Sequence, residues 1–181
     1  MKANRITIFC VALVLAVVAT SHADSASDAE ALAQRVKAAF IYNFIQFTDW
    51  PEGALGEVDS PIVIGVLDPD PLGGNLEKTI AGKTAHGHPL KVKYINDPTQ
   101  VAGCHLIYAC GDDGPVRKIL AAATGSVLTV GDSDAFAEAG GEIRFYLADN
   151  KIRFEINLTA VEKQKLQVSS KLLKVAKTVR H

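Results

Sequence analysis

Cysteine is scarce in this chain, with three in 181 residues, and tryptophan and methionine occur once each. Cys10 sits in the N-terminal apolar run, which leaves Cys104 and Cys110 for the body of the protein. The five residues between them, His-Leu-Ile-Tyr-Ala, read as a buried strand. Extended chain of that length holds the two Cα atoms about 20 Å apart, whereas a disulfide needs less than about 7 Å. A disulfide framework is therefore excluded on this reading, and the two cysteines are buried thiols or intermolecular partners. A surplus of one charge is also lacking: 19 Lys and Arg face 20 Asp and Glu, for a net charge of −1. A chain so balanced has no electrostatic footprint for nucleic acid. Long hydrophobic runs are missing beyond the N-terminus, so the rest of the chain reads as soluble.

Several catalytic signatures are absent as well. There is no Gly-x-Gly-x-x-Gly, no Gly-Lys-Ser/Thr and no Gly-x-Ser-x-Gly elbow. His86-x-His88 lies in a Gly/Pro loop, but no further ligands follow at a metal-site spacing. Cys104 and His105 are neighbours, and neighbours on a strand point to opposite faces. No catalytic residue, metal site or cofactor is assigned.

What is present begins with a leader. Lys2 and Arg5 precede the uncharged run Ile6 to Ala19, and Ser21-His22-Ala23 places small residues before Asp24. This is the layout of a cleavable signal peptide over residues 1–23. The apolar run is about 14 residues, short of the roughly 20 a membrane span needs. Residues 24–181 then form one domain outside the cytoplasm.

Ser27 with Glu30 has the form of a capping box. A helix is predicted from about Asp28 to Thr48, with Leu32, Val36, Ala39, Phe40, Phe44 and Phe47 at helical spacing. Asn43 interrupts the apolar residues and needs a hydrogen-bond partner if it is buried. Trp50-Pro51 ends the helix. Pro61 to Leu67 is a continuous apolar run, suited to a strand buried on both faces. A loop over Asp68–Gly74 leads to a short helix through Leu76 and Ile80. Pro89 to Ile95 alternates like an edge strand, Cys104 to Cys110 is the next buried strand, and a helix spans roughly Gly114 to Ala123. Ser126 to Val130 reads as a strand and Asp132 to Glu138 as a short helix before Gly140-Gly141. Glu142–Ala148 and Lys151–Asn157 flank Asp149-Asn150, a hairpin with two-residue turn chemistry. Asn157 fits a helix N-cap, and the rest of the chain reads as helix, broken near Val168-Ser169-Ser170. Basic residues in this tail, Lys163 to Arg180, form a solvated helix face or a contact surface. The order of elements predicts an α/β fold: a single compact domain with a mixed β-sheet flanked by helices, and a C-terminal β-hairpin and helices.

Two smaller features carry a choice of readings. Gly73-Gly74 follows a strand and opens a helix, where α/β proteins bind anions, yet a turn requirement also explains the pair. Asp68 and Asp70 lie at the carboxyl end of the same strand, where Asp-Pro is ordinary turn chemistry.

The segment from Val36 to Pro51, VKAAFIYNFIQFTDWP, resembles the opening helix of the YfiR family of exported bacterial proteins. The resemblance continues through Ile64-Gly-Val-Leu67, Gly103-Cys-His-Leu-Ile-Tyr108, Val127-Leu-Thr-Val130, Gly140-Gly141, Arg153-Phe-Glu-Ile-Asn157 and Ser169-Ser-Lys-Leu-Leu173. It implies a compact periplasmic regulator, not an enzyme. Such a protein represses a membrane-bound diguanylate cyclase by contact with its periplasmic region. An outer-membrane lipoprotein can sequester it, which raises cyclic di-GMP and favours biofilm. The resemblance also allows a homodimer, and a small-molecule sensor that reports to a histidine kinase. The family's best-known member uses disulfides, but the strand Ile62 to Leu67 carries no cysteine to pair with Cys104.

For the site, Phe44, Phe47 and Trp50 at the end of the first helix and Phe145 and Phe154 of the hairpin are expected to border an apolar groove or to form plain core. Trp50 is the favoured contact residue, because tryptophan is enriched at interface anchors.

Overall fold

The computed structural model describes residues 27–180. The proposed signal peptide and its cleavage point lie outside the described residues. Helix α1 covers residues 27–46. Residue 27 is already helical, so the proposed cap also concerns a helix start outside the described residues. After α1 come β1 (Thr48–Asp49), β2 (Ile62–Leu67), α2 (Asn75–Ile80), β3 (Thr84–Ala85) and β4 (His88–Ile95). A single 3₁₀ turn, Pro98–Val101, leads to β5 (Leu106–Ala109), α3 (Asp113–Ala122) and β6 (Leu128–Gly131). The hairpin β7 (Ile143–Ala148) and β8 (Lys151–Asn157) follows, then α4 (Leu158–Lys163), β9 (Gln167–Val168), α5 (Ser170–Val175) and β10 (Thr178–Arg180). None of the described helices is long and apolar enough to cross a membrane.

Eight strands form one mixed sheet in the order β10-β8-β7-β6-β5-β2-β4-β3, and β1 pairs with β9 separately. The strands β4, β2, β5, β6 and β7 run parallel to one another, while β3 pairs with β4 and β8 with β7 antiparallel. The period of two along each strand sorts the core into two layers. Ile64, Leu106 and Leu128 are in register, as are Val66, Tyr108, Val130, Ile143 and Ile156. These rows meet Ala38, Ile41, Phe44 and Ile45 of α1. The alternate residues, Leu67, Ile107 and Ala109, face Val116 and Ile119 of α3 and the ring of Phe136. The uninterrupted apolar run of β2 is thus explained by burial from both sides.

The α1 interface rests on aromatic rings. Phe44 has no exposed surface and lies 5.0 Å from Phe154 and 5.5 Å from Phe145, ring centre to ring centre. Phe40 stacks on Phe44 at 6.0 Å and meets Phe154 edge-on at 5.3 Å. The buried face is Ala38, Ile41, Phe44 and Ile45, whereas Leu32 is 57% exposed and Asn43 and Ala39 are exposed. Asn43 therefore faces solvent and needs no buried partner.

Some predicted elements differ from the observed ones. The segment Asp132–Glu138 is a run of turns, not a helix. Its backbone bonds alternate between spans of three, four and five residues, such as Phe136 N to Ser133 O and Gly141 N to Phe136 O. The cause is Phe136, whose ring fills space that a Cβ on Gly131 or Gly141 would need. The chain does not stay helical to its end either: β10 adds a parallel strand beside β8. The cysteine strand is shorter than expected, with both thiols outside β5 and both free. The expected edge strand starts one residue early, and β3 pairs with its first two residues only. The hairpin turn matches its chemistry, with φ of 52° at Asp149 and 55° at Asn150.

Replacing Phe44 by alanine empties the centre of this cluster. The expected loss is about 3–5 kcal/mol of folding stability, readable as a fall in the denaturant midpoint with an unchanged slope.

Candidate functional site

The sheet has a topological switch point. The chain leaves β2 for β4 on one side and returns past it to β5 on the other. Ligands of open parallel sheets bind outside the carboxyl ends of strands at such a point. Here that place gathers Asp70 after β2, Tyr108 and Cys110 at the end of β5, and Asp132 after β6, with Lys37 reaching in from α1. Lys37 Nζ lies 2.9 Å from Asp132 Oδ2, and the Tyr108 hydroxyl donates to the same oxygen at 3.4 Å. A cavity of about 220 Å³ opens beside this pair, walled by Phe145, Tyr146, Leu147 and Ile152. Leu147 at the hairpin tip is 67% exposed.

The groups of the crevice mostly satisfy one another. Asp70 accepts from the backbone N–H of Leu72 at 2.8 Å and of Gly74 at 2.6 Å. Its carboxylate thus occupies the donors that Gly73-Gly74 would otherwise offer an anion, and the turn reading of the pair holds. Burial, with Asp132 next, pushes the Cys110 thiol up to about 11, against a smaller opposing pull from Lys37. Cys110 is therefore a protonated thiol at neutral pH and a poor nucleophile. The Tyr108 phenol is held far above its ordinary range by burial and by Asp132.

The histidines have fixed partners. His86 Nε2 is 2.8 Å from Ile45 O, and His88 Nδ1 is 2.9 Å from Ser60 O. His105 Nδ1 accepts from Val63 N at 3.0 Å, which ties β2 to the approach to β5. Burial moves its pKa down. No group of three or more His, Cys, Asp or Glu stands ready to hold a metal among the described residues.

The aromatic residues expected at a groove divide in two. Phe44, Phe145 and Phe154 are together in the core and offer no surface to a partner, so the groove they were expected to border is filled by their own rings. Phe47 and Trp50 are half-buried at the margin. Trp50 donates its indole N–H to Ser126 O at 3.0 Å and meets the His86 ring edge-on at 5.9 Å. It links the end of α1 to the segment before β6 while keeping part of its surface open. Asn157 caps α4 as expected, accepting from Ala160 N at 3.1 Å.

One functional group had no signal in the sequence. Glu142 is only 2% exposed, at the seam where β6 passes to β7. Its Oε2 accepts from Thr129 N at 2.7 Å and from the Thr129 hydroxyl. Burial raises its pKa to about 7 against the pull of those bonds. A glutamate before a strand reads as solvated until the fold closes over it.

A family model described as YfiR/HmsC-like matches residues 34–177. No curated protein matches the sequence. Among solved structures, the chain is similar to a conserved domain protein from Vibrio cholerae, at 15% identity and a TM-score of 0.48, over 66% of this chain and 55% of that one. It is also similar to the ABC domain from Streptococcus pneumoniae solved in complex with L-Trp, at 12% identity and a TM-score of 0.44, over 65% of this chain and 54% of that one. The chain thus spans about half the length of either structure.

Two outcomes test these assignments. Glu142 holds its proton more tightly in the folded state, so folding stability falls as pH rises from about 4.5 to about 7 and levels off above. Glu142→Gln should remove that slope and gain on the order of 3 kcal/mol over the wild type at pH 8, measured by urea denaturation across the range. In the crevice, Asp132→Asn removes a charge that holds the Cys110 thiol protonated and releases Lys37. Alkylation of Cys110 at fixed alkaline pH should then quicken several-fold, with buried Cys104 as the slow internal reference.

Proposed function

The chain belongs to the YfiR/HmsC-like family, the match running from residue 34 to residue 177, and on that premise we propose that it is a periplasmic, non-catalytic regulator that represses a membrane-bound diguanylate cyclase by protein contact. The observation that carries this reading is the reach of the match, from inside α1 to the residue before β10. The state of the reactive groups supports it. The thiol of the crevice is held protonated, and the histidines near strand ends are bound to backbone groups. A leader over residues 1–23 would deliver the domain to the periplasm, where it can act on the cell interior only through a membrane-spanning partner. An outer-membrane lipoprotein that sequesters the domain, and a homodimer, belong to the same proposal.

Trp50 is the residue through which contact is best tested. Its indole is anchored by one hydrogen bond and remains partly open, as an interface anchor requires. Deleting the gene should raise cyclic di-GMP and surface attachment. Restoring Trp50→Ala should fail to lower them, while the purified variant keeps a cooperative unfolding transition. The variant loses a hydrogen bond and half-buried area, so a fall of about 1–3 kcal/mol is expected. Unchanged cyclic di-GMP on deletion, together with no capture of a cyclase periplasmic region by the wild-type protein, would reject repression. A sensor that reports to a histidine kinase is the second reading, favoured by a second cavity, of about 480 Å³, whose lining includes Glu142, Arg117 and Lys163.

A further inference from the structure

One edge of the eight-stranded sheet is almost bare. β4 lies second from that end of the sheet, and β3 pairs only with its residues His88 and Pro89. From Leu90 to Tyr94 the outer edge has no strand beside it. Asp68 N donates to Ile95 O, so Ile95, and with it Lys93 and Lys91, turn their backbone groups toward β2. Leu90, Val92 and Tyr94 therefore turn theirs outward. Lys83 N, the next donor along from β3, is spent on Ile80 O. The outward N–H and C=O groups of Leu90, Val92 and Tyr94 thus have no backbone hydrogen-bond partner among the described residues. Such a row of unmet groups is a template for one more strand.

A groove runs along the same edge. It has a volume of about 470 Å³ and lies between β4 and the end of α2. Its floor is apolar: Leu90 and Val92 are half-buried against the core, and Ile80 is buried beside them. Tyr94 donates to Glu77 and ties β4 to α2 at one end. At the other end, His86 of the turn between β3 and β4 meets the Trp50 ring edge-on at 5.9 Å. The rim is basic. Lys83 and Lys91 make no ion pair among the described residues, and the Lys83 ammonium is held 4.5 Å over the Tyr42 ring. The carboxylate of the lining, Glu77, is already engaged by Tyr94.

These features select the occupant. The free backbone groups call for an extended chain, and the groove beside them for alternate side chains. Residues of that chain on the α2 face fall over Leu90, Val92 and Ile80, where apolar groups fit. The alternate residues stand on the opposite face. There Lys93 is bonded to Gln100 O at 2.6 Å and Lys91 is exposed, so a carboxylate is the matching partner. A second copy of this protein fits poorly, because two β4 edges paired about a two-fold axis set the lysines of one against those of the other. We propose that the β4 edge takes an added strand from a protein partner, an extended segment that alternates apolar and acidic residues. This rests on the reading of a regulator that acts by contact, and gives that contact a place and a chemistry.

The probe is a capped peptide, acetyl-Glu-Val-Glu-Val-Glu-Val-amide, with a twin in which lysine replaces each glutamate. Each is added to the purified protein, with amide NMR shifts and hydrogen exchange as the readouts. In the free protein the amides of Leu90, Val92 and Tyr94 should exchange faster than those of Lys91 and Lys93, which β2 holds. The acidic peptide should shift the three outward amides saturably and slow their exchange, and added salt should weaken it. The basic twin should bind several-fold more weakly. Lys91→Glu, a change at an exposed position, should reverse the preference between the two peptides. Unchanged exchange at the three amides, or equal binding of the two peptides, overturns the proposal. Exchange at those amides that slows with protein concentration alone assigns the edge to a second copy and overturns it as well. Cyclic di-GMP after gene deletion reads repression independently, so the added strand and the regulator reading can each fail alone.

Discussion

The structure depends on the packing of α1 across the sheet. Phe44 touches Phe145 and Phe154, residues a hundred positions later. Without that contact the hairpin has a hydrophobic face and nothing to cover it, and an isolated two-stranded ribbon is marginal in water. Phe40 and Phe44 thereby join the parallel half of the sheet, built from β2, β4, β5 and β6, to the antiparallel half. The same helix carries Lys37 to Asp132 at the carboxyl end of β6. Its far end enters β1, which pairs with β9, and Ser169 N donates to Phe47 O at 2.9 Å. One helix therefore fixes the crevice, the hairpin and the C-terminal elements at once.

Much of this was legible in the residues, where one local rule decides one element. An unbroken apolar run marks a strand with two buried faces, as in β2. Asp149-Asn150 can take positive φ, so a tight hairpin followed. Asn157, coming after a strand and before a helical stretch, fitted a cap and is one. The failures share a different cause. Phe136 overrides helix propensity in Asp132–Glu138 by filling the space over Gly131 and Gly141, an arrangement visible only once the chain has folded. β10 is three residues of Thr-Val-Arg whose strand character comes from the free edge of β8. Phe145 and Phe154 looked the same in sequence whether they faced a groove or a helix, and the groove was filled by α1 itself.

The polar groups show why site prediction lagged behind fold prediction. Motif reasoning points to residues that look reactive, such as the His86 and His88 pair, Asp70 and the Cys104-His105 neighbours. In the fold each of these is bound to a backbone group, or buried and protonated, so its apparent chemistry is spent on structure. Glu142 carried no such signal, yet it is a carboxyl that the fold buries and binds to Thr129, while the hydroxyls of Thr48 and Ser133 are left buried without a partner among the described residues. Reactivity in this protein follows what remains unsatisfied after folding, and composition does not report that.

The position of Glu142 gives this distinction a structural consequence. The carboxyl sits at the join between the two halves of the sheet, where backbone pairing covers only Val130 with Ile143 and Gly131 with Arg144. Its bonds to Thr129 extend that short seam by one residue, so its protonation state bears on how firmly the hairpin half is held. The hairpin half also presents Leu147 to solvent and walls the cavity beside Lys37. The two halves are thus joined through two adjacent strands and one glutamate, whose Oε2 accepts from the Thr129 N–H and hydroxyl.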